Sequence, residues 1–393
     1  MHRLVARCRA PERARVVMRA PTRALLQAAS LTCSPPLSRS IDSLQAIVQR
    51  DEGGRGISPL TRPGQLLSVA TELFIAAASA TTQGKNVLVL TGFPCMRERT
   101  PPAETDGPPG AAAVAHTLAA LGVPVRLPIE AHSEAVLHQC IEAAQPLAAA
   151  ASVTPAPLVE AFPAADGWGA PDDARLVEMR ASATVVVCLE RAGQASDGVC
   201  RTMRGLPMGE SLVAHQLNEL AVTALEQGEA AAPGQMRCVA IGDGGNELGL
   251  GGLHPLIVEH VANGAEIGCV VPAHAVLVAS VSNWGGYALC HALSLLAWEQ
   301  GWHASAPSSA EPSKEPPPSA DDFLARLAPD RAAVSRAILA ANTVGAVDGI
   351  SAQAGGAVDG MPLEEQCRVV EELRLTCLAH MQQNPFGGGQ DLS

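Results

Sequence analysis

The sequence predicts an α/β fold, in which a mostly parallel sheet lies between flanking helices in a Rossmann-like three-layer architecture. Two observations carry this prediction. Short β-branched runs alternate with longer helical patterns along the 393 residues, as in βαβ units. Three of these runs lead into turns that contain acidic residues, and ligands bind at the carboxyl ends of strands in such sheets.

Six apolar runs are predicted to be strands. The first reads Asn-Val-Leu-Val-Leu, and the others are similarly rich in β-branched or aliphatic residues. The last run delivers the polar segment Ser282-Asn283-Trp284-Gly285. In chain order the predicted strands are residues 86–90, 123–127, 184–189, 236–241, 267–271 and 275–281.

The helices are predicted from apolar residues spaced three and four positions apart. Residues 64–80 form an amphipathic pattern that leads into the first strand, and the final helix is charged and capped. Residues 145–172, rich in Ala and Pro, are expected to form a connecting loop. In chain order the predicted helices are residues 41–50, 64–80, an Ala-rich run that ends at 121, 133–144, 210–226, 256–261, 287–299, 321–341 and 362–382.

Composition divides the chain into four segments. Residues 1–40 contain eight Arg, no Lys and one acidic residue, which is typical of an organelle transit peptide, with the mitochondrial matrix favoured over a plastid. A disordered basic arm is the alternative. Residues 41–303 are predicted to be the main α/β domain, 304–320 a Pro- and Ser-rich linker or insertion, and 321–385 the C-terminal helical part of the same domain.

The overall composition excludes several classes of function. A net charge of −12 and an aromatic content of 3% argue against a general nucleic-acid surface. No apolar stretch approaches the roughly 20 residues that span a bilayer, so no membrane partner is expected. The 11 cysteines are scattered without a Cys-x-x-Cys pair, which indicates reduced core thiols. Nothing in the composition predicts the oligomeric state.

The segment 241–249, Ile-Gly-Asp-Gly-Gly-Asn-Glu-Leu-Gly, is the most informative stretch. It places Asp243, Asn246 and Glu247 on a glycine-rich turn after a predicted strand. The Gly-x-Gly pattern does not indicate a dinucleotide site, because the third glycine position is occupied by Glu247, whose carboxylate would repel a pyrophosphate. We therefore expect neither NAD nor a flavin.

Acidic residues at two of these strand ends suggest a cation site. Glu104, Asp106, Asp243 and Glu247 offer oxygen ligands near glycine turns, as hard divalent cations such as Mn²⁺ or Mg²⁺ prefer. Helix capping is the alternative reading of each residue, since Asp and Glu are common ahead of helices.

Other polar residues are candidates for holding a substrate. Ser282 and Asn283 open a predicted helix and could bind a carboxylate at its N-terminus, although an N-cap beside a packed Trp fits equally well. Arg191 and Arg204 are candidate carboxylate clamps, with simple solvation as the alternative. Asn246, on the glycine-rich turn, is a further substrate-binding candidate.

Four blocks of the sequence occur in the same order in a known family. They are residues 104–111, 190–193 with 203–205, 241–249 and 282–285, and residues 91–94 and 359–362 also match. Over about residues 60–380 the chain resembles the carboxy-terminal domain of D-glutamate cyclases. The resemblance implies conversion of D-glutamate to 5-oxo-D-proline with loss of water, a mitochondrial location as for the animal enzyme, and a divalent metal. The animal enzyme has a further amino-terminal domain, and 304–320 resembles an insertion.

With this resemblance, the residues suggest a metal-assisted hydro-lyase, a carbon–oxygen lyase. Asp106, Asp243 and Glu247 are the predicted metal ligands, and Glu104 or Glu190 is the predicted general base. Either Arg191 or Arg204, together with Ser282 and Asn283, would hold the α-carboxylate.

Two alternatives remain open. The chain could be a non-catalytic domain that binds a D-amino acid or another metabolite. It could also be a metal-dependent phosphate-ester hydrolase, because acidic turns at strand ends suit two-metal chemistry as well.

Overall fold

The computed structural model describes residues 33–52, 54, 56–145, 156–226, 235–302 and 317–386. Six parallel strands form the main sheet: β1 (Asn86–Gly92), β2 (Val125–Glu130), β3 (Leu158–Phe162), β4 (Ala183–Arg191), β7 (Arg237–Gly242) and β8 (Ala275–Val278). Their order across the sheet is β3-β2-β1-β4-β7-β8. A short antiparallel hairpin, β5 (Cys200–Arg201) and β6 (Pro207–Met208), lies outside it.

The helices alternate with these strands. They are α1 (Pro35–Val48), α2 (Gln65–Gln83), α3 (Pro108–Ala120), α4 (Glu134–Ala144), α5 (Ala170–Ser182), α6 (His215–Glu226), α7 (His254–His260), α8 (Gly264–Ile267), α9 (Ser282–Glu299), α10 (Ala320–Leu327), α11 (Arg331–Thr343) and α12 (Leu363–Gln383). Single 3₁₀ turns cover Ser58–Leu60, Ala131–Ser133, Ala165–Gly167 and Gly251–Leu253.

Helices cover both faces of the sheet. On one face, the apolar residues of α2, α3 and α9 form a core with Val187 and Leu189 of β4. On the other face, residues of α5, α6 and α7 form a second core with Val186 and Cys188. All nine residues of β4 are buried, as expected for a parallel strand covered on both faces. The predicted three-layer α/β fold is confirmed.

The structure corrects three predicted elements. Residues 267–271 were predicted to be a strand, but α8 ends at Ile267 and the segment continues as an irregular turn. Within 145–172, predicted to be a loop, the chain forms β3 and begins α5. The single helix predicted over 321–341 is two helices, because Asp330 starts a new one by accepting a hydrogen bond from the N–H of Ala333 at 2.7 Å.

Two helices also begin at other residues than predicted, one near each end of the main domain. Helix α1 begins at Pro35, inside the segment 1–40 predicted to be a leader or arm, because Ser34 accepts a hydrogen bond from the N–H of Leu37 and caps it. Helix α9 begins at Ser282 rather than at Tyr287. Residues 1–32 and 303–316 lie outside the described residues, and the second range includes most of the linker predicted over 304–320.

Two expectations from composition concern the described residues. No helix among them is long and apolar enough to cross a membrane. The ten cysteines in the described ranges are free thiols, most of them buried.

A buried carboxylate site at the carboxyl end of the sheet

The predicted acidic residues lie at the carboxyl ends of the strands. Asp106 is in the loop between β1 and α3, Glu190 is near the end of β4, and Asp243 and Glu247 are in the turn after β7. The strand order reverses between β1 and β4, and ligands bind at such a switch point in open α/β sheets. The sheet topology therefore brings together residues that are far apart in the sequence.

Five carboxylates, four of them from the predicted set, form two overlapping groups. Oxygens of Asp106, Asp243 and Asp359 lie within 4.8 Å of one another, and so do oxygens of Glu190, Asp243 and Glu247. All five side chains are buried. Asp243 belongs to both groups, so the predicted ligand set Asp106, Asp243 and Glu247 is distributed over two neighbouring groups.

The N-terminus of α9 is bonded to two of these carboxylates, Asp106 and, through a 3.3 Å bond from the N–H of Ser282, Asp243. The N–H of Ser282 donates to Asp106 Oδ2 at 2.9 Å, and the N–H of Asn283 donates to Asp106 Oδ1 at 2.8 Å. The positive end of the helix dipole thus stabilises the charge of Asp106. A protein carboxylate, rather than a substrate carboxylate, accepts from these two N–H groups in this structure.

The side chain of Asn283 has a structural role. Its Oδ1 accepts hydrogen bonds from the N–H groups of Gly107 and Gly110 at 3.1 and 2.7 Å, and its Nδ2 donates to the carbonyl of Thr105 at 2.9 Å. Asn283 therefore joins α9 to the loop that presents Asp106. These bonds commit the amide of Asn283, predicted to bind substrate, to positioning that loop.

Glu247 closes its own glycine-rich turn. The N–H groups of Asp243 and Gly244 donate to Oε1 at 3.1 and 2.5 Å, and that of Gly245 donates to Oε2 at 2.7 Å. The side chain of Asn246, also predicted to bind substrate, instead donates to the carbonyl of Arg201 at 2.7 Å and anchors the β5–β6 hairpin.

Glu190 combines burial with an unusual backbone conformation. Its φ of 45° lies in the left-handed region, which non-glycine residues rarely adopt and which is common at functional sites. Burial raises the pKa of Glu190 well above its ordinary value, and the charges of Glu247, Asp106 and Glu104 raise it further. Ser282 opposes this increase in pKa by donating from Oγ to Glu190 Oε2 at 2.6 Å. The carboxyl of Glu190 therefore holds a proton more tightly than an ordinary glutamate does.

The two candidate arginine clamps have different surroundings, since Arg191 is buried and Arg204 is on the surface. The guanidinium of Arg191 is fully buried and forms two hydrogen bonds of 2.7 Å with the carboxylate of Glu130, so it is not open to a substrate carboxylate. Arg204 is exposed on the turn of the β5–β6 hairpin, outside the buried cluster.

Glu104, the other predicted base, lies beside the cluster next to Cys95. Glu104 is buried and pairs with Val347 in an isolated β-bridge. Burial raises the pKa of the Cys95 thiol, and the neighbouring charges of Glu104, Glu190 and Asp359 raise it further. Cys95 is therefore a neutral thiol at the edge of the site and not an activated nucleophile.

Asp359 is the site residue that the sequence prediction missed. It lies in the second of two Asp-Gly turns, and its φ of 52° is also left-handed. The available signal was the segment Asp-Gly-Met-Pro at 359–362, which matches the family. Neither the residue nor its turn follows a strand, so strand-end reasoning could not select it.

Comparison with known proteins shows which family the chain belongs to. The model of the D-glutamate cyclase-like, C-terminal family matches residues 44–374. The chain belongs to this family. The human protein named D-glutamate cyclase, mitochondrial, is 31% identical to the chain over 265 residues, which are 66% of this chain and 39% of the human protein. This D-glutamate cyclase-like chain thus matches well under half the length of that relative.

The donor set of this D-glutamate cyclase-like site fits a hard divalent cation. All five clustered side chains offer carboxylate oxygens, the ligand type that Mg²⁺ and Mn²⁺ prefer. Burial is the main cause of the raised pKa of Glu190, and repulsion from the neighbouring carboxylates adds to it; a cation would offset that repulsion. Either group could hold such an ion, and Asp243 would be a ligand in both.

Proposed function

We propose that the chain is a D-glutamate cyclase-like lyase that converts D-glutamate to 5-oxo-D-proline and water with the help of a divalent metal ion. The observation that carries the proposal is the pair of carboxylate groups around Asp243, in a chain that belongs to the D-glutamate cyclase-like family. The name of the human relative supplies the substrate.

The reaction requires an attack of the substrate's α-amine on its γ-carboxyl carbon. A carbon–nitrogen bond forms, and a carbon–oxygen bond of the γ-carboxyl breaks. The ammonium group gives up two protons, which leave with the departing oxygen as water. Since the γ-carboxylate is an anion and a poor electrophile, a bound Mn²⁺ or Mg²⁺ would supply Lewis acidity that neutralises and polarises it.

Glu190 is the proposed general base. Its raised pKa suits a group that accepts a proton from the substrate ammonium and returns it to the departing oxygen. Ser282 fixes the orientation of this carboxyl through its 2.6 Å hydrogen bond. Glu104 is the second candidate for the same role. It lies at the edge of the cluster, next to Cys95.

The metal ligands we propose are Asp106, Asp243 and Asp359 in one group and Asp243 with Glu247 in the other. Asp106 and Glu247 are oriented by backbone N–H groups before any ligand binds, which reduces the cost of assembling the site. Arg204, exposed on its hairpin, is the remaining candidate clamp for the α-carboxylate.

The proposal is tested by incubating the purified full chain with D-glutamate and either Mn²⁺ or Mg²⁺, and measuring 5-oxoproline. L-Glutamate and a chelator-treated sample serve as controls. We expect metal-dependent product from D-glutamate, and absence of product with every metal would refute the assignment.

The same experiment separates the alternatives. Thermal stabilisation by D-glutamate or 5-oxo-D-proline without conversion would favour a metabolite-binding domain. Release of phosphate from a panel of esters would favour a metal-dependent hydrolase. Two neighbouring carboxylate groups could also hold the two metal ions that such a hydrolase uses.

We also propose a mitochondrial location, with a plastid as the alternative. The human relative is named as mitochondrial, and residues 1–40 have the composition of a transit peptide. Import into isolated mitochondria with shortening of the N-terminus would support this location, and exclusion from them would contradict it.

A further inference from the structure

Arg191 connects four parts of the fold around the proposed site. Its guanidinium donates to Glu130 at the end of β2, to the carbonyl of Thr91 on β1 at 3.4 Å, and to Ala214 and Asn218 beside and within α6 at 3.2 and 2.8 Å. Its own carbonyl accepts a hydrogen bond of 2.7 Å from Leu248, at the end of the glycine-rich turn.

Glu130 is equally committed to this contact. Its Oε1 also accepts a hydrogen bond from the N–H of Ala214 at 2.8 Å. Burial alone would raise the pKa of Glu130, but the charge and hydrogen bonds of Arg191 outweigh it and lower the pKa. Both partners are buried and ionised, so neither is available to a substrate.

Just before Arg191, strand β4 has one residue more than the neighbouring strand β1 between two paired positions. From Leu90 to Gly92, β1 advances by two residues, whereas β4 advances by three from Cys188 to Arg191. This is a β-bulge, and the left-handed φ of Glu190 lies within it. A bulge shifts the alternation of side chains between the two faces of a sheet by one position.

The shift decides which side chain faces the carboxylates. Leu189 faces the α9 side and Cys188 the α6 side. Regular alternation would then turn Glu190 toward α6 and Arg191 toward α9. Instead, Glu190 accepts from Ser282 at the start of α9, and Arg191 donates to Asn218 of α6.

We propose that Arg191 and Glu130 are positioning residues whose ion pair locks this bulge, so that Glu190 and not Arg191 faces the carboxylate site. A bulge that includes a left-handed glutamate is strained, and it persists only where surrounding contacts over-determine it. The planar guanidinium supplies such contacts because one rigid group donates several hydrogen bonds in fixed directions. The role of Glu190 in turnover rests on the function proposed above, while the lock itself does not.

The test compares the double variant Glu130→Leu/Arg191→Met with wild type. Apolar residues of similar volume can replace a buried ion pair, but this variant also leaves Asn218 Oδ1 and the N–H of Ala214 without their partners, so its Tm should be somewhat lower than that of wild type. We expect its kcat for D-glutamate to fall by about 10²-fold with a KM within about threefold, because a misplaced base slows the chemical step.

A matched control is the double variant Glu72→Leu/Arg237→Met. Arg237 also forms two hydrogen bonds of 3.0 Å with one glutamate, Glu72. This pair lies at the start of β7, at the amino ends of the strands and away from the site. Its kcat should equal that of wild type. If Glu130→Leu/Arg191→Met keeps the kcat of wild type, whatever its Tm, the pair does not position Glu190 and the proposal is overturned.

Two further outcomes are decisive. If the double variant does not fold, Arg191→Lys keeps the charge but loses the bidentate fork, and an unchanged kcat in that variant would overturn the proposal. If wild type does not convert D-glutamate, the proposed function fails, but the lock is still tested by a crystal structure of the double variant. Retention of the bulge and of the Glu190–Ser282 contact there would overturn it.

Discussion

Two aspartates in similar Asp-Gly turns have different surroundings. Asp348 accepts hydrogen bonds of 2.8 Å from the N–H groups of Ser351 and Gly360, and these bonds lower its pKa against the effect of burial. Asp359, in the second turn, joins the cluster with Asp106 and Asp243. The first aspartate therefore shapes the segment that presents the second.

At the residue scale, Asp243 is the most discriminating position because it belongs to both carboxylate groups. We expect Asp243→Asn to lower the affinity for Mn²⁺ by about tenfold or more, since affinity follows the charge of the ligands. Removal of one charge from a repelling cluster should leave Tm in chelator unchanged or slightly higher. Calorimetric titration and thermal melts measure the two effects.

The control for this substitution is Asp197→Asn, at an exposed position. It should bind Mn²⁺ as wild type does. Equal Mn²⁺ affinities for Asp243→Asn and wild type would remove Asp243 from the metal site, and a loss of stability both with and without metal would identify it as a turn residue.

At the scale of elements, α3 and α9 approach each other closely behind the site. A Cβ added at Gly286 of α9 would lie 2.7 Å from Leu189 Cδ1 of β4 and 3.2 Å from Gly110 Cα of α3. The two glycines let the helices meet where Asn283 bonds to the loop of Asp106.

We therefore expect Gly286→Ala to separate these elements and to lower the free energy of unfolding by about 1–3 kcal/mol, the usual cost of overpacking. Urea unfolding measures this loss. Gly252→Ala is the control, because a Cβ there would meet no atom within 4 Å. Equal stability of the two variants would show that α9 can shift without cost.

The same scale shows what the sequence could predict. Strand β4 is fully buried, β1 and β7 are buried at all but one residue each, and all three have a strong apolar signal, so their positions were predicted to within one or two residues. Strand β3 was missed because its first four residues are at least partly exposed and it lies in an Ala- and Pro-rich segment. Its packing depends on tertiary contacts, including the guanidinium of Arg175, 3.7 Å from the ring centroid of Phe162.

The site was predictable in part for similar reasons. Turns that follow strands could be selected from sequence, and these supplied Asp106, Glu190, Asp243 and Glu247. The ion pair of Arg191 could not be predicted from sequence, because its partner Glu130 is 61 residues away on another strand. A sequence shows that an arginine is present, but only the fold shows that its charge is already neutralised.

At the scale of the whole molecule, His291 couples stability to pH. Burial lowers the pKa of His291 to about 4, although its hydrogen bond to the carbonyl of Tyr287 opposes this effect. Its Nε2 has no hydrogen-bond partner within the described parts of the chain. The folded protein therefore favours neutral His291, whereas the unfolded chain takes up a proton near pH 6.5.

The stabilisation by neutral His291 is complete above pH 6.5 and is lost as the pH falls toward 4, by at most about 3 kcal/mol. We expect His291→Gln to unfold with a weaker pH dependence over this interval than wild type. Denaturant unfolding between pH 4 and 7 measures it, with His138→Gln, at an exposed position, as the control. Parallel pH profiles for His291→Gln and wild type would contradict the prediction.

The sharing of Asp243 between two groups also determines what a break in the backbone would do. A cut between residues 302 and 317 would leave all six strands on the larger fragment, together with Glu190, Asp243 and Glu247. Asp359 would be on the smaller fragment with α10, α11 and α12, where Gln366 accepts a buried hydrogen bond of 2.6 Å from Trp284. One carboxylate group would thus survive intact, and the other would exist only while the helical fragment stays docked on α9.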